Sequence, residues 1–419
     1  MIPGSKLGIL TLSTLFALSL AGSANAPLAA DSVPGVTDTE VLIGGTDPFS
    51  GPASAYSAVG KGSQAYFSYI NDHGGVNGRK ITYKDLDDAY SPPQAVQLAH
   101  QLVEQDHVFA MFGTLGTPSN TAIRPYLNEN KVPQVFIATG ASKWAKEYKQ
   151  FPWTIGWMPD YQSEAIIYAT SLAKTAPNAK IAALYQNDDF GNDYITGLNT
   201  GLGAKAKTSI VKTASYEVTD PDVSSQISTL KASGADTLFI FATPKFAVQA
   251  LVAVAQQSWH PQIYLTNVSS SQSVLRAAAA AGGPGATNGV ISTLYVKDPS
   301  DPKYNSDAGI TLYKQIMAKY LPGEDTANGF FTAGMGYGFT LVDALKHAGR
   351  DLTREKLMTA VTNLKENDNP FLENGISVVT TPTNHFPITQ EQVVRYESGK
   401  WTDIGTIVDA RPYIKEETH

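Results

Sequence analysis

Cysteine is absent from all 419 residues. That excludes disulfides, thiolate metal or redox sites and a lipid-bearing thiol, so stability must come from large apolar cores. A basic surplus is missing too: 31 Lys and Arg stand against 38 Asp and Glu, a formal charge of −7. No nucleic-acid partner is expected, because one would call for a clustered basic face. Histidine is sparse, seven in all, and no two stand at i,i+4 with an acid between them, so a zinc hydrolase is unsupported. The chain has no GxxxxGK[ST] phosphate loop, no GxGxxG after a strand and no GxSxG elbow. Ser171-Leu172-Ala173-Lys174 matches SxxK, but the companion SDN and KTG motifs are missing and a polar helix surface explains it. Asp85, Asp87 and Asp88 lack metal-ligand periodicity and read as a strand-end turn. Neither an enzyme nor a cofactor is expected.

What is present begins with the first residues. Lys6 precedes the apolar stretch Leu7 to Leu20, which is too short to span a membrane, and Ala24-Asn25-Ala26 supplies small residues at a cleavage site. Residues 1–26 therefore read as a signal peptide, with a cut after Ala30 as the alternative. After residue 30 no apolar run reaches the length of a span. An exported chain with no cysteine to lipidate is expected free in a periplasm.

Strand and helix signals then alternate. Strands are expected at 41–45, 81–86, 108–112 and 135–138, and helices at 56–73, from Ser91-Pro92 onward, and at 121–130. A second series places strands at 181–185, 209–216, 237–241 and 263–265, and helices at 194–202, 223–232, 245–258 and 271–281. Residues 151–162, with two prolines and two tryptophans, read as a junction, and 280–289 as a return crossing. Residues 311–363 are again helical, and 376–410 read as strands and turns. The alternation predicts α/β lobes built on parallel sheets, and 419 residues with 42% hydrophobic content suffice for two cores.

One strand-to-helix joint stands out. "MFGTLGTPSN", 111–120, is rich in small and hydroxyl residues. A helix N-terminus carries unpaired N–H groups and partial positive charge. Gly113 and Gly116 let a ligand approach the main chain, and Thr114, Thr117 and Ser119 add hydroxyl donors, so the joint can hold a carboxylate without lysine or arginine. A second such joint follows at Thr139, Gly140, Ala141 and Ser142. Both fall at the sheet edge where open α/β folds bind ligands, and neither contains a base to activate a nucleophile.

The ordered motifs SGP at 50–52, INDHGGVNGR at 70–79, DDAYSPPQA at 87–95, VPQVFIATGAS at 132–142 and LYQNDDFGNDY at 184–194 resemble the type I periplasmic substrate-binding proteins. These are the Leu/Ile/Val-binding group that serve ABC importers. The resemblance implies two Rossmann-like lobes joined by a three-stranded hinge, closing on a small solute. It implies a first lobe of 36–158 plus 295–378 and a second of 159–294 plus 379–410. It further implies a gripping loop at Gly116–Asn120, with Thr117 and Pro118, and a second at Ala138, Thr139 and Gly140. Tyr56, Tyr161, Phe190, Thr243 and Phe331 are implied as further pocket residues, within a set of cleft aromatics that includes Trp157 and Phe330.

The sequence departs from the amino-acid binders of that group in two places. Their ammonium-holding acid is replaced by Asn267, and the hydroxyl of their second loop by Gly140. Tyr90 and Gly116 stand where some relatives carry a cysteine pair. A buried ammonium without a carboxylate is costly, so a hydrophobic or aromatic carboxylate is the expected ligand and a branched-chain amino acid the alternative. The implied partner is an inner-membrane ABC permease, and the protein is expected to act as a monomer. A sensor presenting its ligand to a membrane receptor would share the fold.

Overall fold

The computed structural model describes Met1 and residues 33–414. The signal-peptide reading of residues 1–26, and the cut after 26 or 30, lies outside the described residues.

Each lobe is organised by a sheet. The first runs in the order β2 (Lys80–Asp87), β1 (Glu40–Asp47), β3 (Ala110–Phe112), β4 (Gln134–Ile137), β5 (Thr154–Gly156), all parallel. The second has five parallel strands, β6 (Ile181–Gln186), β7 (Ile210–Tyr216), β8 (Thr237–Phe241), β9 (Gln262–Leu265) and β10 (Ile291–Leu294). Its order is β7-β6-β8-β9-β10, and Gln390–Glu397 and Lys400–Asp403 extend it as an antiparallel edge. Parallel strands need crossovers, and helices supply them on both faces. On one face of the first sheet, Ala95, Ala99, Leu102, Met111, Ile123 and Leu127 close a core of their own under the helices Pro92–His100 and Thr117–Glu129. On its other face the helix Ser57–Asp72 packs against Gly329–Ala348. Two glycines permit that contact: a Cβ on Gly334 would meet the Val59 carbonyl oxygen at 2.0 Å, and one on Gly62 would meet that of Phe331 at 2.5 Å.

The chain passes between the lobes three times, and two of the crossings pair with each other: Val296 bridges Leu372, and the Lys297 and Glu373 N–H groups donate to Phe371 and Tyr295. Three expectations shift. The helix after β3 begins at Thr117 rather than 121, because Pro118 falls in the first turn, where no N–H is needed. Residues 151–162 hold β5 and the start of a helix, Tyr161–Thr175, capped by the Asp160 carboxylate accepting from the Gln162 and Ser163 N–H groups. Past the expected return crossing at 280–289, the chain forms β10, a strand added to the expected series. Among the described residues no helix is long and apolar enough to cross a membrane.

Candidate functional site

The carboxyl ends of both sheets face one cavity of about 850 Å³, counting its mouth onto solvent. The first lobe contributes the joint singled out from the sequence. Gly116 takes a positive φ of 98°, and a Cβ there would lie 2.6 Å from the Tyr90 ring, so only glycine fits. Asn120 stitches the loop: its Nδ2 donates to the carbonyls of Thr114 and Gly116, both at 2.9 Å, while its Oδ1 accepts from Gln134 at 2.8 Å. No side chain caps the N-terminus of the helix Thr117–Glu129. The Thr117 and Thr139 hydroxyls meet at 2.5 Å, and Tyr161 OH donates to Thr139 at 3.2 Å. A chain of hydroxyls thus lies along the cavity edge, beside an uncapped helix start.

The walls are aromatic and aliphatic. Tyr56 meets Phe330 edge-on at 5.2 Å, and Tyr161 meets Phe190 at 5.0 Å. From the second lobe come Thr243, Asn267 and Gln272. The lobes also touch just after the second loop: Ser142 donates through its N–H and hydroxyl to Asp193, at 2.7 and 3.1 Å, and Lys143 pairs with Asp189 at 2.6 Å.

Of the residues singled out from the sequence, Tyr56, Thr117, Ala138, Thr139, Tyr161, Phe190, Thr243 and Asn267 line this cavity. Pro118, Gly140 and Phe331 do not. Pro118 is one residue, about 100°, further round its helix than Thr117. Gly140 is covered by its neighbours, since a Cβ there would lie 2.3 Å from the Pro159 carbonyl oxygen and 2.8 Å from the Tyr161 ring; it lines a smaller adjacent hollow. In Gly329–Ala348, Phe330, Ala333 and Tyr337 share one face at helical spacing, which turns Phe331 towards Gly62. Trp157 leaves the set of cleft aromatics as well: it is fully buried, with Nε1 donating to Thr340 at 2.8 Å and its ring 4.1 Å from Tyr337.

Sequence reasoning missed Tyr337, Trp401 and the segment after β10. The β-branched and aromatic stretch 290–296, VISTLYV, signalled that strand, and reading it would have placed Tyr295, Lys297 and Asp298 at a sheet end. Lys297 and Asp298 are the charged residues of the lining, and both have partners. Lys297 Nζ binds Asp307 at 2.9 Å and the Pro370 carbonyl at 3.0 Å; Asp298 accepts from Gln272 at 3.1 Å and from the Ser300 hydroxyl at 2.7 Å. Elsewhere, Asp87 and Asp88 bind turn N–H groups of Ala89 and Tyr90, and Ser171 and Lys174 lie on a helix surface.

Asn267 sits in front of two buried acids. Its backbone N–H donates to Glu164 Oε1 at 2.7 Å, and its Nδ2 to Glu391 Oε2 at 3.1 Å. Tyr168 OH donates to Glu164 Oε1 at 2.6 Å, Tyr194 OH to Glu164 Oε2, and the Thr293 hydroxyl to Glu391. Burial pushes the Glu391 carboxyl up to about 7; burial and the Glu391 charge push Glu164 well above the usual range.

Comparison with known proteins agrees with this architecture. A Leu/Ile/Val-binding protein homolog from Brucella melitensis is 28% identical over 202 residues, which span 48% of this chain and 54% of that relative. The chain thus matches about half the length of that relative. The crystal structure of a branched-chain amino acid ABC transporter protein from Thermus thermophilus with bound valine superposes with a TM-score of 0.77 at 15% identity, covering 90% of this chain and 99% of the other. A solute-binding protein from R. palustris in complex with benzoate gives 0.73 at 18% identity, covering 87% and 96%. These likenesses concern the fold. The family model described as periplasmic binding protein matches residues 40–400, nearly the whole of the two lobes and their hinge, and the chain belongs to that family.

Proposed function

We propose that the protein is the solute-binding receptor of an ABC importer, exported and untethered, and that its cavity captures a small hydrophobic carboxylate such as a hydroxybenzoate or cinnamate. One observation carries the ligand class: an aromatic-walled cavity has hydroxyls and an uncapped helix start from the first lobe, and a neutral Asn267 in the lining from the second. A carboxylate docks on the Thr117 loop, where N–H and hydroxyl donors replace its water. The second lobe then closes over the apolar body, driven by contacts made only when closed. We take 36–158 with 295–378, and 159–294 with 379–410, as the two moving bodies. The closed monomer delivers its ligand to an inner-membrane permease. Binding rather than catalysis fits the hydroxyls, because Thr117, Thr139 and Tyr161 bond one another and not a base.

One observation favours the second reading, a branched-chain amino acid: Asp298 reaches the cavity and is an acid able to meet an ammonium. Thermal unfolding of the mature chain against benzoates, cinnamates, leucine, isoleucine and valine separates the two. A micromolar ligand at millimolar concentration adds roughly 4 kcal/mol of apparent stability. Stabilisation by the aromatic acids alone supports the first reading, and stabilisation by the amino acids alone rejects it.

A further inference from the structure

The first lobe reaches the second through Tyr90, which lines the cavity. The turn after β2 delivers it. Ala89 and Tyr90 both take positive φ, 50° and 61°, and the Asp87 and Asp88 carboxylates hold them there by accepting from their N–H groups at 2.9 and 2.8 Å. Such backbone costs free energy and persists where its surroundings fix it. The Tyr90 ring lies over Gly116, and the ring carbon that bears the hydroxyl is 3.4 Å from where a Gly116 Cβ would stand. That puts the hydroxyl beside the start of the helix Thr117–Glu129. Covering Gly116 explains the ring, and phenylalanine would cover it equally well. The hydroxyl needs another explanation.

Tyr90 OH accepts from Gln186 Nε2 of the second lobe at 3.5 Å, a long and weak hydrogen bond. Gln186 is fixed that way round, because its Nε2 also donates to Asp188 Oδ2 at 2.6 Å and its Oε1 accepts from Tyr216 OH at 3.0 Å. A phenol has one proton to give, and among the described residues nothing accepts the one on Tyr90. Burial and the Asp188 charge push this hydroxyl well above the ordinary tyrosine range, so the proton stays in place. We infer that Tyr90 OH donates to the ligand carboxylate held at the start of Thr117–Glu129, a ligand contact where the two lobes meet. The inference rests on the carboxylate reading of the cavity and adds to it a donor outside the two gripping loops.

Calorimetric titration of the wild type and of Tyr90→Phe tests it, with benzoate against benzamide, cinnamate against cinnamamide, and leucine against leucinamide. Each pair exchanges a carboxylate for a neutral amide. The variant keeps the ring over Gly116, so its unfolding temperature should stay within about 2 °C of the wild type. Its Kd for the carboxylate should rise roughly tenfold or more, and for the amide by less, since a hydrogen bond to a charged acceptor is the stronger. Benzoate affinity within about twofold of the wild type overturns the inference and leaves the carboxylate reading standing. Equal loss for both members of a pair overturns it too, because the hydroxyl would then hold the lobes together without meeting the ligand's charge. If leucine alone binds the wild type, and Tyr90→Phe weakens it more than leucinamide, the donor stands and the aromatic reading falls. Binding of no carboxylate in the panel overturns both.

Discussion

Thr117→Val removes one hydroxyl and changes little else, because valine keeps the branched shape. The Thr117 and Thr139 hydroxyls share one hydrogen bond at 2.5 Å, and Tyr161 OH donates to Thr139 at 3.2 Å. Each hydroxyl has one proton. If Tyr161 gives its proton to Thr139 and Thr139 gives its own to Thr117, the Thr117 proton is free for a carboxylate oxygen, in a chain whose members strengthen one another. A hydrogen bond to a charged group is worth about 1.5–3 kcal/mol, so the substitution should raise Kd for benzoate roughly 10- to 150-fold. The empty protein loses only a neutral bond, and its unfolding temperature should fall by about 1–2 °C. Calorimetric titration with benzoate and with benzamide, its neutral analogue, isolates the charge. The reasoning fails if benzoate affinity changes by less than about twofold, or if both compounds weaken equally.

Two further outcomes follow from packing and burial. Gly140→Ala forces a Cβ against the Pro159 carbonyl and the Tyr161 ring, at 2.3 and 2.8 Å, and should destabilise the fold by about 1–3 kcal/mol in urea unfolding; a cost under about 0.5 kcal/mol would show that this corner gives way freely. Glu366 accepts from Thr340 and Asn369, both at 2.8 Å, has no partner for Oε2, and is pushed by burial up to about 8. The folded state therefore holds a proton that the unfolded chain releases near its ordinary value of about 4.3. This contribution is complete below that value and is lost as pH rises to about 8. Glu366→Gln should flatten the fall of the unfolding temperature across that window, and an unchanged slope would mean that Glu366 is ionised throughout.

The fold was legible wherever apolar periodicity met a cap or a breaker. Thr237–Phe241 coincides with its expected strand, and the helices near 57–72, 92 and 244–256 lie within a residue or two of their signals. Boundaries failed where one residue type served two purposes. Pro118 reads as a loop residue but starts a helix, and the prolines of 151–162 hid the helix that Asp160 caps. The cavity lining was legible at Thr117, Ala138 and Thr139, where strands end in glycine and hydroxyl residues, a pattern that plain turns and helix caps share. It was illegible where a residue enters from far along the chain. Nothing local in Trp401 or Tyr337 points to a cavity. A one-residue slip in a helix turns the side chain by about 100°, which is the whole difference between Phe330 and Phe331.

Position 267 shows how a sequence can report a loss that the structure turns into a rearrangement. The missing acid argues against a cation, and Asn267 stands in the cavity lining at that position. Yet carboxylates remain behind that wall in Glu164 and Glu391, which arrive from residues 103 positions before and 124 after Asn267 and could not be seen together in one dimension. An acid at the wall would attract an ammonium directly. Set behind the wall, the acids act through Asn267, whose backbone N–H and side-chain amide donate to them and hold the residue in place. An amide at the wall takes away the direct attraction for an ammonium, and a buried cation left without a carboxylate is costly, which favours a ligand whose body is apolar.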